Sequence, residues 1–505
     1  MNMRHQKLSI LLIIPVCLCL LSCESLLDTK PTDFYTEDSF WKTATHAEEA
    51  TTSAYQALLH NDLYNEQTPF MFEVMTPNAY HKDNFQSAHD FAIGAHSATT
   101  IGMNLVTWRG CYRGIGRCNM VIDRVPAIEM DEALKTRLVG EAKFLRAFYF
   151  QKLNVLFNGV PLVVTSPNGA DHSALPRAAY AEVKQQILQD LNDAIASLPA
   201  DYPAASSGRA TKGAALALKA QVHLQDHEYT EVVSAIDELI ALEKYALFPD
   251  YNGLFRKANE GNSEIIFDVR FKSPQVRNSY DIIHAQYNTQ APLQELVEAY
   301  QMKDGLSIEE SPLYDPQNPY ANRDPRLAQS IVYLGAPWRN RVADAADLHQ
   351  TGYTFRKYTE YNETTVGTIA NSDVNYVILR YADVLLMYAE ALNELHGATQ
   401  AVYEAVNAVR QRPSVDMPAL PAGLDKDAMR EAIRLERRIE LAGEGAYFYD
   451  IRRWKTIEQE MVGPVHTHSG AVIETRNFDP QRDYYWPIPY TEIDLNPALI
   501  QNPNY

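Results

Sequence analysis

Two places in the chain combine residue types and spacing that could do chemistry. His466-Thr467-His468 sets two imidazoles one residue apart, close enough to share a metal ion. Glu436, Arg437, Arg438 and Glu440 crowd one turn of a helical pattern, with Glu436 and Glu440 on the same face. Neither reads as a catalytic site. The histidine pair lies in a loop flanked by proline and glycine, where locally bonded or solvated imidazoles are the ordinary outcome. The charged turn reads as structural ion pairing across the helix surface. Arg452, Arg453 and Trp454 read as cation–π and packing residues. No nucleophile elbow, phosphate-binding glycine loop or histidine pair on a zinc-binding helix is present in the sequence. A carboxylate pair of the glycosidase kind is a spatial feature and leaves no spacing to read. The expectation is a protein with no catalytic residues, no metal and no cofactor.

One cysteine does carry a chemical signature. Arg4 and Lys7 precede an apolar run from Leu8 to Leu21 that is broken by Pro15. That run is too short for a spanning helix, which needs ~20 apolar residues, and it fits the ~7–15 residue core of a secretory leader. It ends in Leu20-Leu21-Ser22-Cys23, a tetrapeptide that resembles the bacterial lipobox. Residues 1–22 are therefore expected to be removed and Cys23 to be lipidated. Several acyl chains, each contributing ~0.8 kcal/mol per buried CH₂, would anchor everything after Cys23 to a bilayer.

Charge and cysteine count narrow the partners. The formal charge is −19, and losing Arg4 and Lys7 with the leader makes it about −21. Such a balance excludes nucleic acid, which needs a basic footprint, and excludes lying flat on anionic lipid. Of five cysteines, Cys17 and Cys19 leave with the leader and Cys23 is the anchor. Cys111 and Cys118 are seven residues apart, ~10.5 Å along a helix, beyond the ~7 Å Cα separation of a disulfide. Two free, buried thiols are expected.

The remaining candidates are aromatic. The chain holds 30 Tyr, 17 Phe and 5 Trp. Those in irregular segments are placed to stack on a sugar ring, with Asn, Arg or His at the edges for its hydroxyls. They are Tyr80, His81, Asn84, Phe85 and Phe91 in residues 62–104, Tyr280, Tyr287 and Asn288 in 270–292, and Trp338 and Arg339, with Tyr333 and Tyr353, in 330–353. Each one taken singly is better explained by loop packing; the ligand-binding reading belongs to the group rather than to any member.

Mainly helical elements must position these groups. Residues 24–45 read as a tether running into a first helix capped at Thr36 or Asp38. "WRGCYRGIGRCNMVIDRV" and "EALKTRLVGEAKFLRAFYFQKLNVLF" read as helices, the second stopping at Asn158-Gly159 before a strand-like "VPLVV". "TKGAALALKAQVHLQDHEYTEVVSAIDELIAL" is a helical hairpin turning at Asp226–Glu228. "YVILRYADVLLMYAEALNELHGATQAVYEAVNAVRQR" repeats that organisation with its turn at His396-Gly397. Ala214, Ala217 and Ala220 in the first, and Ala382, Ala389 and Ala391 in the second, allow the close approach found in tetratricopeptide-like hairpins. "SEIIFDVRF" reads as a strand, and "KDAMREAIRLERRIELAGEGAYFYDIRRW" as a last helix. The fold class is mainly α: a scaffold of TPR-like hairpins with long irregular loops and a few short strands.

Taken together, these segments resemble the SusD/RagB family of surface nutrient-binding lipoproteins. The resemblance runs over nearly the whole mature chain. It is carried in order by "CESLLDTKPTDFYTEDSFW", "EAKFLRAFYFQKLNVLFNGVPLV", "LQELVEAYQMKDG", "NRDPRL", "YVILRYADVLLMYAEALNE", "AVNAVRQR", "ERRIELAGEGAYFYDIRRW" and "PIPYTEIDLNPALIQNPNY". It departs at "AGEGAYFYD", where the family shows a bulky residue before Glu-Gly and an arginine after it. The resemblance implies one domain over 23–505, with TPR-like helices concentrated in about 23–260 and mixed loops and helices in about 261–505. It implies a surface-exposed protein, lipid-anchored to the outer membrane, that captures oligosaccharide and delivers it to a SusC-like TonB-dependent transporter without catalysis. Ligand residues vary among members, so only Cys23 carries over by motif. Peptide capture in the manner of RagB, or a surface glycoside hydrolase, would be the alternative.

Overall fold

The computed structural model describes residues 40–167, 172–360 and 372–505. The leader, Cys23 and the caps expected at Thr36 or Asp38 lie outside the described residues. The described chain enters helix α1 (Ala44–Gln56), where the Thr43 hydroxyl accepts from the His46 amide at 3.3 Å. A short helix α2 (Thr68–Val74) precedes α3 (Met103–Arg124), α4 (Glu132–Phe157) and α5 (Tyr180–Ser197). The hairpin α6 (Lys212–Gln225) and α7 (Tyr229–Ile240) follows. After a mixed region come α8 (Tyr381–His396), α9 (Gln400–Arg410), α10 (Lys426–Glu440) and α11 (Tyr447–Arg453).

The long helices form where capping and packing both favour them. Asp131 caps α4 by accepting from the Leu134 amide at 2.8 Å. Asn158 ends it in the left-handed region, φ 57°. Against α4 lies α3, and the approach is close enough that a Cβ on Gly114 would sit 2.3 Å from the Tyr149 ring. Cys111 and Cys118 are buried and unpaired between them, as their spacing requires. A buried ion pair ties α4 to α5, with Arg146 donating to Asp190 at 2.8 and 2.7 Å. The two alanine-rich hairpins, far apart in sequence, pack against each other through α7 and α8, and all six alanines singled out above are fully buried.

Three sequence expectations are corrected. "VPLVV" is not a strand, because α3 and α4 side chains take its backbone groups: Asn119 donates to the Val163 and Thr165 carbonyls and Arg146 to that of Val164. Conversely, "YVILR" is not helical. Tyr376–Arg380 pairs antiparallel with Ile265–Val269, the strand expected within "SEIIFDVRF". The single last helix is two, α10 and α11, broken where Gly443 and Gly445 adopt φ of 79° and 77°.

The charged turn of α10 does pair, but with other elements rather than along its own surface. Glu440 is fully buried and accepts from Arg326, Arg380 and Arg412 at 2.7–2.9 Å, while Glu436 accepts from Arg410 at 2.8 Å. The three guanidinium groups hold the Glu440 carboxyl well below the usual carboxylate range, against the opposing effect of burial. This network is structural: its members are buried among one another, which fixes α10 against the strand pair, the short helix that carries Arg326 and the end of α9.

Candidate functional site

The site is assembled by short pairings between distant segments. Strand β1 (Ala79–His81) runs antiparallel to β2 (Gln290–Pro292), with Tyr80 opposite Ala291 and His81 opposite Gln290. The Lys82 amide continues the ladder onto the Thr289 carbonyl at 3.3 Å. Lys82 is thereby carried to the segment that contains Tyr287 and Asn288.

A third segment closes the site. Strands β3 (Pro337–Trp338) and β4 (Arg341–Val342) form a hairpin whose two turn residues, Arg339 and Asn340, have φ of 53° and 59°. Positive φ at both central positions is the geometry of a type I′ turn, which matches strand twist; asparagine suits it and arginine does not. The chain then makes a single 3₁₀ turn, Ala345–Asp347, in which Asp344 and Asp347 cap each other reciprocally. Here Asp344 accepts from the Ala346 amide at 2.9 Å, and Asp347 from the Asp344 amide at 3.0 Å.

Asp347 organises the cavity. Its carboxylate accepts from Arg339 at 3.2 Å and from Arg341 at 2.7 Å, and its carbonyl accepts from the Asn288 side chain at 3.2 Å. The turn arginine is thus held in its uncommon backbone conformation with its head fixed over the cavity. Lys82, Tyr287, Asn288, Arg339, Asp347 and His349 are among the groups lining a space of about 300 Å³, at the small end of ligand sites, which run ~300–1,000 Å³. Tyr287 is 53% exposed, an aromatic side chain open to solvent among polar groups. The rings of Tyr80 and His349 meet at 5.6 Å. Burial pushes both His349 and His81 down to about 4, so these imidazoles are neutral near pH 7. His81 bonds Gln67 at 2.9 Å and takes the Asp83 amide at 3.1 Å, which holds the start of the Lys82 segment.

The structure brings together only part of the expected set. Tyr287, Asn288 and Arg339 line the cavity, while Tyr80 touches the lining residue His349 and His81 adjoins the lining residue Lys82. Tyr280 is fully buried, edge-on to Phe70 in the main core. Trp338 is 1% exposed in a small apolar cluster with Val332, Ala336 and Ala343. Phe91 stacks on His96 at 4.4 Å and meets Trp486 at 5.2 Å. None of these three offers a ring face to a ligand, because each face is already covered by protein. Asn84 takes the His89 and Asp90 amides and acts as a local turn cap, with Phe85 beside His81. Tyr333 stacks on Tyr320 at 3.9 Å, and Tyr353 donates to Gln294 at 2.6 Å.

Sequence reasoning missed Lys82, Asp347, Leu348, His349 and Gln350. A signal was present: Asp344-x-x-Asp347 has capping-box spacing and begins four residues after Asn340. His466 lies 3.7 Å from Glu295 and His468 faces the Thr351 carbonyl at 3.2 Å. Among the described residues no cluster of three or more His, Cys, Asp or Glu could hold a metal ion.

The mainly helical scaffold with few short strands is a SusD-like architecture. The chain belongs to the SusD family: residues 256–505 match the model of that description, and residues 26–224 match the one described as starch-binding associating with outer membrane. It is 27% identical over 530 residues to SusD-like protein P38 of Formosa agariphila, covering 99% of this chain and 100% of that one. Among solved structures it resembles a SusD-like carbohydrate-binding protein from Bacteroides fragilis, with a TM-score of 0.85 and 29% identity over 91% of this chain and 100% of that one. Surface glycan-binding protein A from Bacteroides fluxus shares the fold, with a TM-score of 0.73 and 23% identity over 92% of this chain and 100% of that one. Among the described residues no helix is long and apolar enough to cross a membrane.

Proposed function

We propose that this protein captures oligosaccharides at the cell surface and delivers them to a SusC-like TonB-dependent transporter, without chemically altering them. In this reading Cys23 carries the lipid that holds it to the outer membrane, and residues 23–505 act as one domain. Contacts that cross the two halves, such as Arg438 to Asn78 at 2.8 Å and Arg476 to the Ala79 carbonyl at 2.8 Å, support the last point.

The observation that carries the proposal is the Tyr287 ring standing open beside fixed hydrogen-bonding groups. A pyranose presents an apolar face and an equatorial rim of hydroxyls. Tyr287 meets the first; Asn288, Arg339, Asp347 and Lys82 meet the second. Arg339 and Asp347 are positioned by each other before any ligand arrives, which lowers the ordering cost of binding. The carbohydrate-binding description of the Bacteroides fragilis relative supports the same ligand class.

The test is binding of the purified mature protein to an oligosaccharide panel and, in parallel, to a peptide pool. The expected result is at least one bound glycan, recovered intact after prolonged incubation, and no bound peptide. Peptide binding alone would overturn the ligand class, and cleaved glycan would overturn the non-catalytic role.

A further inference from the structure

A second cavity, remote in its lining from the first, lies where α4, α6, α8, α10 and α11 converge. Its volume is about 190 Å³, room for roughly six waters at ~30 Å³ each. Its walls include the rings of Tyr64, Phe72, Phe148, Tyr376 and Tyr449. Three of the cations that line it are matched by carboxylates: Arg380 by Glu444, and Arg437 and Arg453 by Asp450, with Asp383 also bound to Arg437. Lys152 is not matched. Its ammonium lies 4.3 Å from the centre of the Phe72 ring and 3.4 Å from the Tyr449 hydroxyl, and no carboxylate among the described residues is within ion-pair distance.

A lone cation among aromatic walls is an uncommon arrangement, because an unpaired charge removed from water is costly. The ring faces of Phe72 and Tyr64 recover part of that cost. Burial pushes Lys152 down to about 8, which still leaves it mostly protonated at pH 7. Tyr449, whose hydroxyl burial keeps neutral, stands beside it as a second donor. An ammonium and a phenol side by side make a two-point receptor for a carboxylate, and the rings around them suit an aromatic body.

We propose that this cavity binds a small aromatic monocarboxylate, its carboxylate held by Lys152 and Tyr449 and its ring among the apolar groups that line the cavity. The site is separate from the saccharide cavity and stands whether or not that one binds sugar.

The test is calorimetric titration of the mature protein with phenylacetate and with its uncharged analogue phenylacetamide. Phenylacetate is expected to bind at least tenfold more tightly than the amide, to lose at least tenfold in Lys152→Met, and to retain binding in Lys152→Arg. A melting profile of each variant verifies that it is folded. Absence of phenylacetate binding at about 10 mM, ten times a millimolar Kd, overturns the proposal. So does binding that the amide or the folded Lys152→Met variant matches.

Discussion

Lys152→Met is expected to make the protein more stable, by an amount that depends on pH. In the folded chain burial lowers the lysine from 10.5 to about 8. Between those values the unfolded chain binds the proton and the folded chain does not, so stability rises with pH across that interval. Below pH 8 both states are protonated and the full cost of the buried charge is present. At 1.36 kcal/mol per pKa unit that cost is about 3 kcal/mol, an upper figure because the side chain retains some access to solvent. Methionine removes the charge and fits among Tyr64, Phe72 and Phe148. For 505 residues at ~2.1 cal/mol/K each, the unfolding entropy is about 1 kcal/mol/K. The expected gain is therefore a Tm higher by about 2–3 °C at pH 6–7. The assay is differential scanning calorimetry of both proteins from pH 6 to 10.5. The gap should stay level up to pH 8 and then narrow steadily as the wild-type lysine loses its proton. A lower Tm for the variant at pH 7, which an ion-paired lysine would give, refutes the reasoning. So does a gap that does not narrow.

Further outcomes follow from other contacts. Glu390 is held down to about 2 by Arg453, with Trp454 donating at 3.0 Å, so Glu390→Ala is expected to cost about 3–5 kcal/mol by calorimetry. Because its folded value lies below the unfolded 4.5, the stabilisation that the carboxylate supplies is present above pH 4.5. The difference between wild type and Glu390→Gln should therefore shrink as pH falls from about 4.5 towards 2. Gly114→Ala pushes a Cβ to 2.3 Å from Tyr149, and the forced separation of α3 and α4 is expected to cost about 1–3 kcal/mol. Cys23→Ser is expected to move the folded protein from the membrane fraction to the soluble fraction, read by fractionation and immunoblot.

Most of the scaffold was legible because its signals are local. Alanines at helical spacing, Asp131 ahead of α4 and Asn158-Gly159 behind it all act within one or two turns. The misreadings arose where distant residues override local pattern. Nothing near "VPLVV" shows that Asn119 and Arg146 will take its carbonyls. Nothing near "YVILR" announces its partner more than 100 residues upstream. The site divides in the same way. Tyr287 and Asn288 were visible as an aromatic and an amide in an irregular stretch, but so was Tyr280 seven residues earlier, which lies in the core against Phe70. Which aromatic stays exposed depends on a left-handed Asn288 and on the pairing of residues 79–81 with 290–292, and both are tertiary facts. Asp347 went unnoticed because acids are abundant and its importance comes from two arginines that the hairpin turn delivers to it.

The claim on which the account turns is that the open Tyr287 ring receives saccharide. Isothermal titration should use an oligosaccharide that the panel identifies, with wild type, Tyr287→Ala and, as a control, Tyr485→Ala, another tyrosine exposed elsewhere. Loss of one stacking face is worth about 1.5 kcal/mol, so Tyr287→Ala is expected to weaken binding about tenfold with an unchanged Tm, and Tyr485→Ala to leave it unaltered. Equal affinity for all three proteins would contradict the assignment of this cavity.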